Sequence, residues 1–272
     1  MRKYNDTGDT CTMILIMLAT ILIISILLIC GDKGSKSIIT TTLNACFVLL
    51  SIFWIYRGGN PVPITLISCA AISLVVLYYQ NEGGVKSHIS LVSIAAVFLL
   101  VIPLIYIFAL NSHGQGFPPE EYEITDSNGY TRNIGVSMLS LQISTMIIAL
   151  VGVLLDTSVA IVSSIFEISA NNKKLTLYEL MQASFTVSKA ILATSIHTIF
   201  YIYIAEYTTL FIQYLNDYSF VAVLNGKSLA KEIISISVSG IGCCLVVPVA
   251  TVLGSVFITR HHAYQGKQPT RR

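Results

Sequence analysis

Long apolar runs separated by short polar joints organise the whole chain. The runs occupy 12–30, 38–56, 63–79, 89–110, 134–155, 189–215 and 233–258. Each is near the roughly 20 residues that an α-helix needs to cross about 30 Å of hydrocarbon at 1.5 Å per residue. The pattern predicts seven transmembrane helices. The joints carry turn and breaker chemistry: Gly31-Asp-Lys-Gly-Ser-Lys36, Arg57-Gly-Gly-Asn-Pro61, Gln80-Asn-Glu-Gly-Gly84, and a longer stretch over 111–133 with Pro118-Pro119. The first run is long enough to span, and Ile29 stands where a cleavage site or a lipoprotein Cys30 would need a small residue, so a retained helix is expected.

These joints divide the chain into three regions. Residues 1–133 form a four-span region ending in the acidic loop 111–133, 134–258 form a membrane core, and 259–272 form a basic tail. Lys and Arg in short loops are held on the cytoplasmic side. With seven spans and the C-terminus inside, nine basic residues face inward: Lys33, Lys36, Lys86, Lys173, Lys174, Arg260, Lys267, Arg271 and Arg272. The outer set has six: Arg2, Lys3, Arg57, Arg132, Lys227 and Lys231. The expected orientation is therefore C-terminus in and N-terminus out.

One stretch departs from a plain spanning helix. Residues 134–168 carry scarcely a charge, and as one straight helix they would run about 50 Å, well past the hydrocarbon. A break, a steep tilt or a re-entrant turn is expected, with Gly152 to Asp156 as the place for a break. The small and polar residues Gln142, Thr145, Ala149, Gly152, Asp156, Ser163 and Glu167 recur at spacings of three, four and seven, which puts them on one helical face. Such a stripe serves either close helix packing or the lining of a hydrated cavity. Asp156 reads as a functional group, because an ionisable side chain inside a membrane is costly; the alternative is a helix cap at the membrane surface.

After the turn Asn171-Asn-Lys-Lys174, residues 175–188 place Leu177, Leu180, Met181, Ser184 and Phe185 at helical spacing, which describes an amphipathic helix lying in the interface. Thr176 with Glu179 has the capping-box pattern that marks its start. The sixth run holds Lys189, His197 and Glu206. Lys189 and Glu206 lie near its ends and can snorkel to the interfaces, whereas His197 is central and is either a hydrogen-bonded packing residue or part of a proton path. In the last run Ser235, Ser239 and Gly242 share a face suited to close packing, and Pro248 is expected to kink the helix.

Composition narrows the choice of function. Only 11% of the 272 residues are charged and 54% are hydrophobic, against about 25% charged in soluble domains, so a soluble globule is excluded. A net charge of +2 gives no reason to expect nucleic acid. The six cysteines lie in or beside apolar runs without the paired spacing of a metal site, and they read as free thiols. No His-Glu-x-x-His, no Gly-x-Ser-x-Gly and no second intramembrane Asp supports an intramembrane hydrolase, so no enzyme activity and no cofactor or metal is expected.

The block Gly152-Val-Leu-Leu-Asp156-Thr-Ser-Val-Ala-Ile-Val-Ser163-Ser164-Ile-Phe-Glu167-Ile168 resembles the core signature of the YibE/F family of bacterial multi-pass membrane proteins. The later segments are similar in order: Glu179-Leu180 opens the next helix, and Glu232-Ile-Ile, Gly240-Ile-Gly242 and Pro248 match the closing span. The chain departs from the pattern at Ser188-Lys189-Ala190, where the family favours Gly-Arg-Asp, and at His197-Thr198, where it favours Asn-Thr. The resemblance covers about 134–258, and the first four spans match only as hydrophobic helices. It implies a short member of a family whose short and long forms occur as a pair in Gram-positive bacteria, hence a complex with a longer homologous membrane protein.

The residues themselves fit an all-α polytopic protein acting as a transporter or permease subunit for a small solute or ion. In that reading Asp156 binds a cation or proton, Ser163, Ser164 and Glu167 line its path, and Lys189 or His197 is counter-charge or relay. Gly152, Ser235, Ser239, Gly242 and Pro248 would serve packing and kinks. The alternative is a non-transporting scaffold or receptor subunit that stabilises a partner; a homo-oligomer in membrane lipid suits either.

Overall fold

A computed structural model describes residues 2–81, 83–111, 117, 124–125, 131–132, 135–172 and 174–265, with side chains over 13–111, 117 and 135–260 of these. The elements are α1 (Arg2–Tyr56), α2 (Pro61–Leu74), a wide π-turn segment (Val75–Gln80), α3 (Val85–Asn111), a two-residue antiparallel ladder of β1 (Ile124–Thr125) and β2 (Thr131–Arg132), α4 (Met138–Asn171), α5 (Leu177–Asp217), α6 (Phe220–Leu224) and α7 (Lys227–Gln265). Among the described residues, six helices are long and apolar enough to cross a membrane, so the protein is a helical membrane protein.

The helix starts follow local chemistry. Asn60 accepts a hydrogen bond from the Val62 amide at 3.3 Å, and Pro61 occupies the first helical position of α2, where a missing N–H is harmless. Ser137 caps α4 through the Ser140 amide at 3.4 Å. Thr176 and Glu179 form the reciprocal capping box: the Glu179 amide donates to Thr176 Oγ1 at 3.3 Å, and the Thr176 amide donates to Glu179 Oε2 at 2.8 Å.

Three features differ from the sequence expectation. First, the runs 12–30 and 38–56 belong to one helix, interrupted only at Gly31, whose φ of 54° and ψ of −129° are open to glycine alone. Its apolar stretch Met13–Tyr56 has 44 residues, about twice what one crossing takes, so two runs meet at a kink where a loop was anticipated. Second, α4 is an uninterrupted helix of 34 residues, about 50 Å long, with no break between Gly152 and Asp156. A glycine costs a helix only about 1 kcal/mol, and the surrounding apolar side chains are packed on both sides of it. Asp156 is therefore a mid-helix residue and caps nothing. Third, 175–188 is no separate interfacial helix. It forms the first turns of the 41-residue α5, and Leu180, Ser184 and Ser188, spaced by four, are buried against the bundle.

The core lies around α4 and α7, which pack on each other and on α3 and α5; α2 adds to α4, and α1 packs mainly on α2 and the π segment. Ile147, Leu150, Leu154, Ile161 and Ile165 of α4 are fully buried and recur every three, four or seven residues. Gly242 brings α7 close to this row: a Cβ there would overlap Leu150 Cδ1. Hydroxyl contacts tie α4, α5 and α7 together. Thr157 Oγ1 donates to Ser195 Oγ at 3.2 Å and lies 3.5 Å from Cys243 Sγ, while Ser188 and Thr251 hydroxyls meet at 3.2 Å. By contrast, no residue of 13–30 is buried, so this apolar segment is left to lipid.

Candidate functional site

The polar stripe of α4 is turned out of the core. Val151, Leu154, Ser158, Ile165 and Ser169 are buried, and each stands two positions after Ala149, Gly152, Asp156, Ser163 and Glu167 in turn. Two residues are about 200° of helical rotation, so the stripe occupies the side opposite the packed face. Gly152, Asp156 and Glu167 are exposed, and Ser163 is half-buried. Gln142 is the exception, being fully buried. Gly152 meets nothing that a Cβ would touch, so it makes no close helix contact.

The two ends of this outward face open into two cavities. At the Met138 end, Thr145, Ala149 and Val153 line a space of about 450 Å³ with Tyr203 and Glu206 of α5 and Lys231 of α7. Lys231 is nearly buried there, paired with Glu232 at 3.2 Å and placed 4.5 Å over the Phe117 ring. At the Asn171 end, Ser163 and Glu167 line a more polar space of about 370 Å³, shared with Lys33 of α1, Gln80 at the end of the π segment, the adjoining Asn81, and Lys86 of α3. Sharing this cavity puts Lys33, two residues past the α1 kink, beside Gln80 and Asn81.

Between the cavities Asp156 projects from the middle of α4. Ser164 is set apart from the cavity, its hydroxyl donating to the Ile161 carbonyl at 2.8 Å. Lys189 and His197 are exposed on α5, and neither makes an ion pair with Asp156. The structure thus joins Ser163 and Glu167 in one cavity and leaves Asp156, Lys189 and His197 as separate outward groups. Of the α7 residues, Ser235 lines the Met138-end cavity, Ser239 and Gly242 are buried, and α7 stays helical through the exposed Pro248.

Lys33 and Lys86 were not singled out in the sequence as site residues. Each looked like an ordinary loop cation, and only the kink at Gly31 and the turn before α3 bring them to one cavity. Among the described residues, no group of three or more His, Cys, Asp or Glu side chains could hold a metal ion, and Cys30, Cys46, Cys69, Cys243 and Cys244 are free.

Comparison with known proteins supplies one match. The profile of a family described as YibE/F-like protein matches residues 18–260, which takes in the first spans as well as the core, and the chain belongs to that family. Neither a curated protein nor a solved structure matches it.

Proposed function

From membership of this family and the geometry of α4, we propose that the protein is the short subunit of a membrane transporter or permease. The observation that carries the reading is the outward polar face of α4, with a polar cavity at each end and Asp156 between them. A helix that used its small and polar residues only for packing would turn them inward. Here the inward face carries Ile and Leu together with Gln142, Ser144, Thr157, Ser158 and Ser169, while Thr145, Asp156 and Glu167 on the other side are left available to water, solute or another subunit. Asp156 binds a proton or cation, Ser163 and Glu167 extend its path toward the Asn171 end, and Lys189 and His197 act from α5 once a partner closes the groove.

A longer homologous membrane protein is the proposed partner, in a bacterial plasma membrane. Ionisable groups exposed on spanning helices cost a few kcal/mol each in lipid, and a second subunit over α4 and α5 would remove that cost. The same observation favours the second reading, a non-transporting scaffold or receptor subunit whose outward polar residues are glue for a partner.

Flux separates the two. Vesicles containing the complex purified in mild detergent are expected to dissipate an imposed proton or sodium gradient faster than protein-free vesicles. Equal rates under both gradients reject transport and leave the scaffold. The proposed orientation has its own test: in intact cells an impermeant thiol reagent is expected to label a cysteine placed at Gln115 and to miss one at Gln268. The reverse pattern inverts the topology.

A further inference from the structure

The cavity at the Asn171 end of α4 holds two cations that the transport reading does not use. Lys33 and Lys86 enter it from two different helices, and Glu167 enters from a third. None of the three forms an ion pair with a described residue. Lys86 is held in place by its position 5.2 Å over the Phe166 ring. Two ammonium groups and one carboxylate around a cavity of about 370 Å³ leave it with a net positive charge that attracts an anion.

The walls add hydrogen-bonding groups still without a partner. Ser90 is 2% exposed, yet its hydroxyl lines the cavity and bonds to no described residue; only its carbonyl is used, accepting from Ser158. The Gln80 amide and the Ser163 hydroxyl are equally unpartnered among the described residues. Their neighbours are committed elsewhere: the Ser87 hydroxyl donates to the Leu77 carbonyl at 2.5 Å, and the Asn81 amide donates to the Val76 carbonyl at 3.1 Å. These two bonds satisfy carbonyls at the π segment and fix the wall that carries Gln80.

One buried hydroxyl, a half-buried hydroxyl and a half-buried amide beside two lysines that outnumber the single carboxylate describe a site for a phosphate group. Glu167 on the same wall opposes a ligand that is wholly anionic and favours one that also carries a cation. We propose that this cavity binds a phosphoethanolamine group, its phosphate held by Lys33, Lys86 and Ser90 and its ammonium facing Glu167. The group is either the headgroup of a phospholipid or the free compound. This site stands whether or not the protein transports anything, because Lys33, Lys86 and Ser90 have no part in the Asp156 reading.

The test uses the full chain. From bilayer discs of mixed phosphatidylethanolamine and phosphatidylglycerol, native mass spectrometry is expected to find one phosphatidylethanolamine retained after the other lipids are stripped. Lys33→Gln with Lys86→Gln is expected to lower that retention at least about tenfold, as loss of hydrogen bonds to charged groups implies, while Lys227→Gln keeps it. Glu167→Gln is expected to move the preference toward phosphatidylglycerol. Calorimetric titration of the delipidated protein with phosphoethanolamine covers the other source: binding there, lost in the same double variant, assigns the site to the free compound. Absence of both retention and binding, or either one unchanged by the double lysine variant, overturns the proposal.

Discussion

Asp156→Asn is expected to reduce proton or cation flux through the reconstituted complex to the protein-free rate, with the amount of protein in the membrane unchanged. The side chain is exposed, makes no ion pair with a described residue, and lies in an uninterrupted stretch of α4. The amide has the same shape, so no packing is lost on substitution. What disappears is the negative charge, the one property a bound proton or metal cation requires. Insertion should not suffer, since a charged carboxylate at mid-helix costs about 2.5 to 3.5 kcal/mol on insertion scales and the amide costs less. The expected pattern is therefore loss of flux at normal abundance. Ser163→Ala, which removes one cavity hydroxyl and no charge, is expected to slow flux without abolishing it. Full flux in Asp156→Asn would show that transport, if present, runs elsewhere, and would remove Asp156 from the site. Flux unchanged by Ser163→Ala but lost with Asp156 would confine the site to the middle of α4.

How much of this could be read in the sequence depends on the kind of signal. Chemistry that acts within one turn was legible: Asn60-Pro61 at the start of α2 and Thr176 with Glu179 at the start of α5 fall where their hydrogen-bonding capacity dictates. Apolar length was legible too, because it follows from bilayer thickness. Continuity was not. Gly152 weakens a helix by about 1 kcal/mol, which is too little to break one whose other face buries Leu150 and Leu154. Gly31 differs because its backbone adopts a conformation other residues avoid, and composition gives no sign of that difference. Leu180, Ser184 and Ser188 show the same limit on α5, since the apolar and small spacing of an interfacial helix is also that of a packed one.

The stripe on α4 shows why a periodic pattern underdetermines a site. Spacing fixed which residues share a face, but the face could point inward or outward, and the fully buried Ile147, Ile161 and Ile165 on the opposite side decided it. Asp156, Lys189 and His197 were close in chemistry but are not paired with one another, because α4 and α5 turn them outward. Lys33 and Lys86 were the reverse case. They are remote in sequence and joined only by the tertiary arrangement of the kink and the π segment.

The largest effect expected on stability lies where α7 crosses α4. Gly242→Val is expected to destabilise the protein by about 1 to 3 kcal/mol, the usual cost of overpacking a filled interior. Even a Cβ at this position overlaps Leu150 Cδ1 and falls 3.5 Å from Leu154 Cδ2. Leu150 is fully buried, so it cannot swing into open space and one helix must move. In lipid that separation is costly for a specific reason: with no water to exclude, helix association rests on van der Waals fit and interhelical hydrogen bonds. Widening the crossing would also strain the nearby contact between Thr157 and Cys243. Leu150→Ala alone is expected to cost about 2 to 5 kcal/mol through the cavity it leaves. In the double variant the valine occupies part of the space vacated by the leucine, so the combined loss should fall below the sum of the two single losses by at least about 0.5 kcal/mol, the lower end of coupling between residues in contact. Denaturant unfolding in detergent micelles, read as midpoints for the four proteins of the cycle, measures this coupling. Additive losses would mean that the α4 and α7 backbones are not in close approach at Gly242.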